Sequence, residues 1–268
     1  MPTIHLTVLG CGSSSGTPVV GCTCAVCQSP LPQNRRSRCS AWLDIDGQAW
    51  LIDTTPDLRQ QALREHITRV DGVLYTHPHA DHLNGIDDLR AFCFRQQGAI
   101  PIYGSAFTLD NITERFNYAF FPPSKHWNRP VLQAHSLDNL THLNGAPLQH
   151  FQVPHGHWQT TVYRIGNIAW LTDLNDLSDE QIAALQGLDY LFIDCLGEKP
   201  YPSHLSFEQA YAFAQRINAQ QTYLIHMTHS LDYEDLMQRC PPRIAPAYDG
   251  LTISSEYCPP CFNTQDDT

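Results

Sequence analysis

The stretch YTHPHADHLNG, residues 75–85, is the feature that most constrains how this chain can fold. It places His77, His79, Asp81 and His82 within six positions, directly after the apolar run of RVDGVLYT, which predicts a β-strand. Imidazoles and carboxylates ligate divalent metals, and a turn after a strand can hold them in converging directions. Separate surface histidines at the start of a helix are the alternative, but they explain one histidine better than the whole HxHxDH pattern. The stretch therefore predicts a metal centre at a strand end.

The remaining sequence predicts one large layered α/β domain. Its 268 residues, 42% of them hydrophobic, are enough to build a core without disulfide cross-links. Predicted strands at IHLTVLG, AWLDIDGQAWLID, IPIYG, LQHFQVPH, TTVYRIG, IAWLTD, DYLFIDCL and QTYLIHMTH alternate with predicted helices at PDLRQQALREH, HLNGIDDLRAFCFRQQ and SFEQAYAFAQRIN. We assign residues 1–254 to this domain. We assign residues 255–268, which include Cys258 and Cys261, to a flexible tail, although a peripheral metal site or redox pair at these two cysteines is the alternative.

Charge and hydropathy limit the partners. A formal net charge of -11 argues against a protein that grips nucleic acid through a general positive field. We expect the arginine run NRRSR, residues 34–38, to be a solvated loop rather than an anion site. The apolar start is short and lacks a basic lead, and no stretch is long enough to span a bilayer, so we expect a cytoplasmic protein without a membrane partner.

Residues 106–130 interrupt the alternation of strands and helices. This segment is rich in aromatic side chains and carries the cations Lys125 and Arg129. It predicts either a lid over the site or a helix and loop that dock their aromatic side chains on the core.

The HxHxDH spacing resembles the signature of the metallo-β-lactamase superfamily, whose fold is a four-layer αβ/βα sandwich. The resemblance implies three ligands downstream: His155 in QVPHGH, Asp173 in AWLTD as a bridging carboxylate, and His226 in LIHMTH. His157 competes with His155, which the His-Gly order favours, and Asp173 has an alternative role as a helix N-cap. Water between two divalent ions would then be acidified enough to attack.

By this resemblance each of two ions takes four side chains. The first ion is held by His77, His79, His155 and Asp173, and the second by Asp81, His82, Asp173 and His226. Asp81 is also counted among the catalytic residues. Nitrogen and oxygen ligands suit zinc, manganese or iron, and we expect manganese or zinc.

A second metal site is predicted at residues 21–28. GCTCAVC brings Cys22, Cys24 and Cys27 within six residues, and His229 can supply the fourth ligand of a structural zinc; three free thiols are the alternative. This trio, with the HMTH motif, resembles the PhnP-like phosphodiesterases of the carbon–phosphorus lyase pathway, which act on a phosphoribosyl cyclic phosphate. The likeness runs from about residue 4 to residue 253.

The resemblance also implies an activity. His204, just before a predicted helix, matches a histidine that protonates the leaving oxygen; an exposed helix-capping histidine is the alternative. We expect hydrolysis of a small cyclic ribose phosphodiester in phosphonate metabolism, by a homodimer. The alternatives are a tRNA 3'-processing endonuclease, a thioester or lactone hydrolase on the same scaffold, and a non-catalytic carrier of cofactor synthesis.

Overall fold

Two seven-stranded sheets form the framework of the protein, and the computed structural model describes residues 1–125 and 130–258. The first sheet has the order β14-β1-β2-β3-β4-β5-β6 and the second the order β13-β12-β11-β10-β9-β8-β7. The strands are β1 (Thr3–Gly10), β2 (Ser40–Ile45), β3 (Gln48–Ile52), β4 (Gly72–Leu74), β5 (Ile100–Gly104), β6 (Leu132–Ser136), β7 (His142–Leu143), β8 (Ala146–His155), β9 (Trp158–Ile165), β10 (Ile168–Leu171), β11 (Tyr190–Asp194), β12 (Gln221–Ile225), β13 (Ile244–Pro246) and β14 (Thr252–Glu256).

Each sheet combines antiparallel and parallel strands. In the first sheet β14, β1, β2 and β3 pair antiparallel, whereas β3 to β6 run parallel. In the second sheet β7 to β10 pair antiparallel and β10 to β13 run parallel. Parallel strands end at one edge of a sheet, and side chains that follow them meet there.

Helices cover the outer faces of the sheets. The α-helices are α1 (Ala25–Gln28), α2 (Leu58–Arg64), α3 (Ala80–Leu83), α4 (Leu89–Gln96), α5 (Ala106–Arg115), α6 (Asp179–Ala184), α7 (Phe207–Ile217) and α8 (Tyr233–Arg239). The longest, α7, begins with a capping box in which Ser206 and Gln209 satisfy each other's backbone N–H groups. None of the helices in the two described ranges is both long and apolar enough to cross a bilayer.

Alternating side chains of the first sheet divide the core into two layers. Trp50 and Ile52 of β3 belong to the cluster between the two sheets, whereas Leu51 joins the cluster under the helices α2, α4 and α5. In the second sheet, three successive residues of β11, Leu191 to Ile193, are fully buried because both faces of that strand are covered. This is the four-layer αβ/βα sandwich that the resemblance implied.

Two expectations about elements differ from the structure. The helix predicted over residues 82–97 is divided at Asn84 and Gly85 into α3, a short 3-10 helix and α4. Strand β14 continues past the predicted domain boundary at residue 254, and Tyr257 is buried with its hydroxyl donating to Asp46. The remaining tail, 259–268 with Cys261, lies outside the described residues.

In the segment 106–130, helix α5 docks on the core, whereas residues 121–125 are exposed. Helix α5 buries Thr108 and Ile112, and Ile112 belongs to the outer core cluster of the first sheet. Residues 126–129, including Arg129, lie outside the described residues.

The arginine run is not a solvated loop throughout. Arg36 is 1% exposed, and its guanidinium donates to the carbonyl oxygens of Gln33, Thr228 and Leu231. Five N–H donors in a planar fork can satisfy several carbonyl groups at once, so this arginine ties its loop to the chain after β12.

Candidate metal centre

The predicted ligands come together where strands of both sheets end. His77, His79, Asp81 and His82 follow β4 in the first sheet. From the second sheet, His155 ends β8, Asp173 follows β10 and His226 follows β12. Two sheets facing each other therefore contribute to one centre.

The first predicted ligand group is compact. His79 Nδ1 lies 2.8 Å from His77 Nε2 and 3.3 Å from His155 Nε2, and both of these Nε2 atoms lie 3.7 Å from Asp173 Oδ2. Ligand atoms held tetrahedrally at 2.0–2.2 Å from one ion are about 3.3–3.6 Å apart. The spacing therefore suits a single divalent cation.

The second group uses the other oxygen of the same carboxylate. Asp173 Oδ1 lies 3.1 Å from His82 Nε2 and 3.3 Å from His226 Nε2. Asp81 Oδ2 completes the group at 3.3 Å from His82 Nε2 and 3.6 Å from His226 Nε2. Since Oδ1 and Oδ2 of Asp173 face different groups, this carboxylate is placed to bridge two ions.

Unusual backbone conformations aim two of these side chains. Asp173 and His226 have φ angles of 56° and 59°, in the left-handed region that non-glycine residues seldom adopt. Each follows immediately or almost immediately on a parallel strand, where the chain must leave the sheet sharply. Such conformations persist where the surroundings impose them, and they concentrate at functional sites.

Further side chains fix which imidazole nitrogen faces the centre. His77 Nδ1 lies 3.0 Å from Thr76 Oγ1, whose hydroxyl donates to Asp53, and His82 Nδ1 lies 2.8 Å from Asp53 Oδ2. His155 Nδ1 lies 2.7 Å from the carbonyl oxygen of Ser203. A nitrogen that donates a hydrogen bond leaves the other free as a ligand, which is how outer partners orient histidines around metals.

The buried polar atoms of the centre support a cation there. His82 Nε2 and both ring nitrogens of His226 are buried without a hydrogen-bond partner within the described part of the chain. Buried polar atoms are nearly always paired, and a role in binding an ion is one of the few reasons for an exception. The donor set of imidazoles and carboxylates therefore fits divalent metal ions.

Burial keeps several of these imidazoles neutral. It lowers the pKa of His77 far below the usual value and that of His79 and His155 below it. At His82 burial also favours the neutral form, but the carboxylates of Asp173 and Asp81 outweigh it and raise the pKa. Neutral imidazoles are the form that binds a metal.

His204 lies against the centre and is held by a carboxylate that the sequence analysis did not single out. Its ring stacks on His226 at 4.9 Å, and its Nδ1 lies 3.1 Å from Asp194 Oδ1. Burial lowers the pKa of His204, but Asp194 outweighs this effect and raises the pKa to about 9. His204 is 7% exposed, and Ser206 rather than His204 caps the following helix, so the helix-cap alternative does not describe it.

The competing candidates of the sequence lie at different places in the structure. His157 lies exposed in the turn after β8, whereas His155 is buried in the centre. Asp173 does not cap helix α6, because Ser178 does so.

Sequence analysis missed Asp53 and Asp194, although a signal was present. Both are aspartates that close an apolar strand, in LID and FID, as Asp173 does in LTD. Both lie outside the HxHxDH pattern, and they support the centre through histidines, through Thr76 and through the backbone of Asp173.

The cysteine trio forms a second cluster. The Sγ atoms of Cys22, Cys24 and Cys27 lie 3.3 Å, 3.4 Å and 3.4 Å from His229 Nδ1. The backbone N–H of Cys27 is the main cause that lowers the pKa of Cys24 to about 6, which favours the thiolate form. Three sulfurs around one imidazole nitrogen suit a tetrahedral zinc, so the structural zinc stays a prediction with a fitting geometry.

Comparison with known proteins places the chain in a family. Residues 49–227 match the family model described as Beta-lactamase superfamily domain. An octanoyltransferase of Porphyromonas gingivalis is 36% identical over 249 residues, which are 91% of this chain and 50% of that protein. The chain thus spans about half the length of the curated relatives it matches.

Solved structures share the fold over nearly the whole chain. A diphosphatase from the PhnP family superimposes with a TM-score of 0.90 and 38% identity, covering 96% of this chain and 100% of that one. Zinc-bound PqqB from Methylobacterium extorquens superimposes with a TM-score of 0.74 at 18% identity, covering 93% of this chain and 99% of that one. At that lower identity the likeness shows the fold alone.

Proposed function

The chain belongs to the metallo-β-lactamase superfamily, as a PhnP-like member, and on that premise we propose that it is a metal-dependent phosphodiesterase acting on small molecules. The observation that carries the proposal is Asp173, whose two oxygens face two separate groups of predicted ligands. Cyclic ribose phosphates are the substrates we expect, as in the sequence analysis.

Two divalent cations in such a centre would polarise a water molecule and stabilise negative charge on the phosphoryl oxygens. The residues of the chain supply the rest. Asp173 presents one oxygen to each group of ligands. Asp53 and Thr76 orient the imidazoles of His82 and His77 towards the centre. Manganese and zinc both suit these ligands.

His204 is the proposed proton donor to the leaving oxygen. Its Nδ1 hydrogen is directed at Asp194, and its Nε2 lies 3.8 Å from Asp173 Oδ2, at the side of the centre. Asp194 stabilises the protonated imidazole, which can then give its Nε2 proton to an alkoxide as the P–O bond breaks.

Diphosphate cleavage is a second candidate, supported by the PhnP-family diphosphatase that is 38% identical to this chain. Both reactions displace an oxygen from phosphorus and can use the same centre. They differ in the leaving group: a phosphate leaves readily, whereas a ribose alkoxide needs a proton. His204 should therefore matter more for the diester.

The test is a screen of the purified protein, loaded with manganese or zinc, against cyclic ribose phosphates, linear diesters, diphosphates, thioesters, lactones and precursor tRNA. Fastest turnover of a cyclic or linear diester supports the proposal. Turnover of thioesters or precursor tRNA alone, or of no substrate with both ions bound, overturns it.

His204→Ala tests whether His204 protonates the leaving oxygen. We expect turnover of an alkyl diester to fall by about 100-fold or more, within the range of general acid catalysis, while a nitrophenyl diester with its good leaving group is affected much less. Metal content should stay unchanged. Equal losses on both diesters would contradict the role of His204.

A further inference from the structure

A cleft beside the metal centre carries two exposed aromatic side chains that the reaction itself does not use. Trp158 is 39% exposed and Phe107 is 48% exposed. They line a cavity of about 680 Å³ together with polar side chains, among them Ser105, Gln152 and Gln159. Cavities of this volume suit a small molecule or one part of it.

The β8–β9 hairpin fixes where Trp158 points. Strand β8 ends at His155, a two-residue turn with Gly156 at φ 61° follows, and β9 begins at Trp158. His155 and Trp158 are direct partners across the ladder. Partners directly opposite each other project from the same face of a sheet, so Trp158 must lie on the side of the metal centre.

The ring of Trp158 packs on the ring of His79, so the cleft lies next to the metal centre. The two rings are stacked, with centroids 4.4 Å apart and an interplanar angle of 27°. Phe107, at the start of α5, meets the same indole nearly at a right angle, with centroids 5.4 Å apart. A group lying on these rings would therefore be next to a predicted metal ligand.

We infer that this cleft, defined by Trp158 and Phe107, binds the nucleobase of a nucleotide substrate whose phosphorus lies at the metal centre. The inference rests on the proposed function and deepens it. A base offers a flat ring for stacking and a polar edge for hydrogen bonds. The cleft has both partners, since its aromatic pair is accompanied by hydroxyl and amide groups. Ser105 and Gln152 already bond Thr108 and Thr161, but an acyl chain would offer no partner to the exposed amide of Gln159.

A matched pair of substrates tests the inference. Adenosine 2',3'-cyclic phosphate and the 2,3-cyclic phosphate of 1-O-methylribose have the same reacting phosphorus, but only the first carries a base. For the unaltered enzyme we expect kcat/KM to favour the adenosine substrate by about tenfold or more, through KM, because stacking on an aromatic ring stabilises ground and transition states alike. Equal values for the two substrates would overturn the inference.

Variants of Trp158 test whether its ring produces the preference for the adenosine substrate. Trp158→Leu should reduce the preference to about twofold or less, whereas Trp158→Phe should keep most of it because a ring remains. Phe94→Ala, which removes an exposed ring on α4 outside the cleft lining, should leave it unchanged. Metal content is measured for each variant, because Trp158 packs on His79; an unchanged preference in a metal-replete Trp158→Leu would contradict the inference.

A binding measurement separates the inference from the proposed function. Adenosine monophosphate should quench tryptophan emission of the metal-free protein more strongly than that of the metal-free Trp158→Phe variant, and ribose 5-phosphate should quench neither. If no phosphorus substrate is hydrolysed but this quenching is seen, the proposed function fails and the cleft remains. If hydrolysis occurs without any base-dependent quenching or preference, only the cleft assignment fails.

Discussion

Asp173 is the ligand that the two predicted metal ions share. We expect Asp173→Asn to keep the shape of the side chain but to lose its charge and one acceptor oxygen, so the variant should bind fewer than two ions in the centre. Activity should fall by more than about 100-fold, beyond the 10–100-fold that loss of an outer partner costs. Metal analysis and kinetics on one diester check this.

Asp176→Asn is the matched control, because Asp176 is a neighbouring exposed aspartate whose side chain accepts a hydrogen bond from the adjacent backbone N–H of Leu177. It should retain both ions and full activity. A fully metal-loaded, active Asp173→Asn would contradict the bridging arrangement.

Asp194 supports the centre from outside it: it binds His204, lies beside His226 and accepts a hydrogen bond from the backbone N–H of Asp173. Its Oδ1 lies 3.1 Å from His204 Nδ1 and 3.4 Å from His226 Nδ1, and its Oδ2 accepts from the backbone N–H of Leu205. In Asp194→Asn the amide cannot stabilise a protonated His204, so we expect kcat on an alkyl diester to fall by about 10–100-fold.

Activity on a nitrophenyl diester should fall less in Asp194→Asn, which distinguishes positioning of the proton donor from a general loss of structure. Asp189→Asn serves as the control, because Asp189 bonds Gln220 and Ser255 away from the centre. A kcat loss in both variants alike would remove the special role of Asp194.

At the level of elements, Gly85 explains why the predicted helix over residues 82–97 is divided. A Cβ at this position would lie 1.8 Å from the carbonyl oxygen of Thr55, and the Gly85 N–H donates to Thr54. The chain after α3 is thus pressed against the loop that follows β3. The spacing of apolar residues in a helix does not show a contact with a distant loop. The sequence therefore predicted one continuous helix through Gly85.

Gly85→Ala should therefore destabilise the protein although alanine favours helices. We expect the free energy of unfolding to fall by about 3 kcal/mol, the upper range for an overpacked site, because the clashing atom is backbone. Gly98→Ala, where the nearest atom to the added Cβ lies 4.0 Å away, should change it little. Denaturant unfolding of both variants measures the difference, and equal stabilities would refute the close approach.

Elements that carry their own local signal were predictable, and those fixed by distant contacts were not. Strands β1, β2, β3, β8 and β12 follow from alternation or apolar runs, and the turn at Asp46 and Gly47 from its dipeptide. Strand β6 has four exposed residues out of five, so hydrophobicity could not reveal it. The burial of Arg36 depends on carbonyl groups almost 200 positions away.

For the whole molecule, the centre links the two sheets. Ligands after β4 belong to the first sheet, and His155, Asp173 and His226 belong to the second. An ion bound only by the folded arrangement stabilises the fold by about 2.7 kcal/mol when its free concentration is 100 times its Kd. The HxHxDH motif alone predicted the ligands that follow β4. The ligands from the second sheet were predicted from the family resemblance. Spacing along the chain could not predict them, because it does not show which strands of the two sheets lie close together.

Removal of metal should consequently lower the melting temperature of the entire domain in one cooperative transition. We expect a strong chelator to reduce it by about 5–10 °C for each tightly bound ion lost. Cys24→Ser should lose the predicted zinc of the cysteine cluster. When it is chelated, its melting temperature should fall only by the amount due to the ions of the centre. For Asp173→Asn, the fall on chelation should include the amount due to the zinc of the cluster. The contrary result would be an unchanged melting temperature of the unaltered protein after metal analysis has shown that the ions are removed. In that case metals would not stabilise the contact between the two sheets at this edge, and packing between the sheets alone would account for their association.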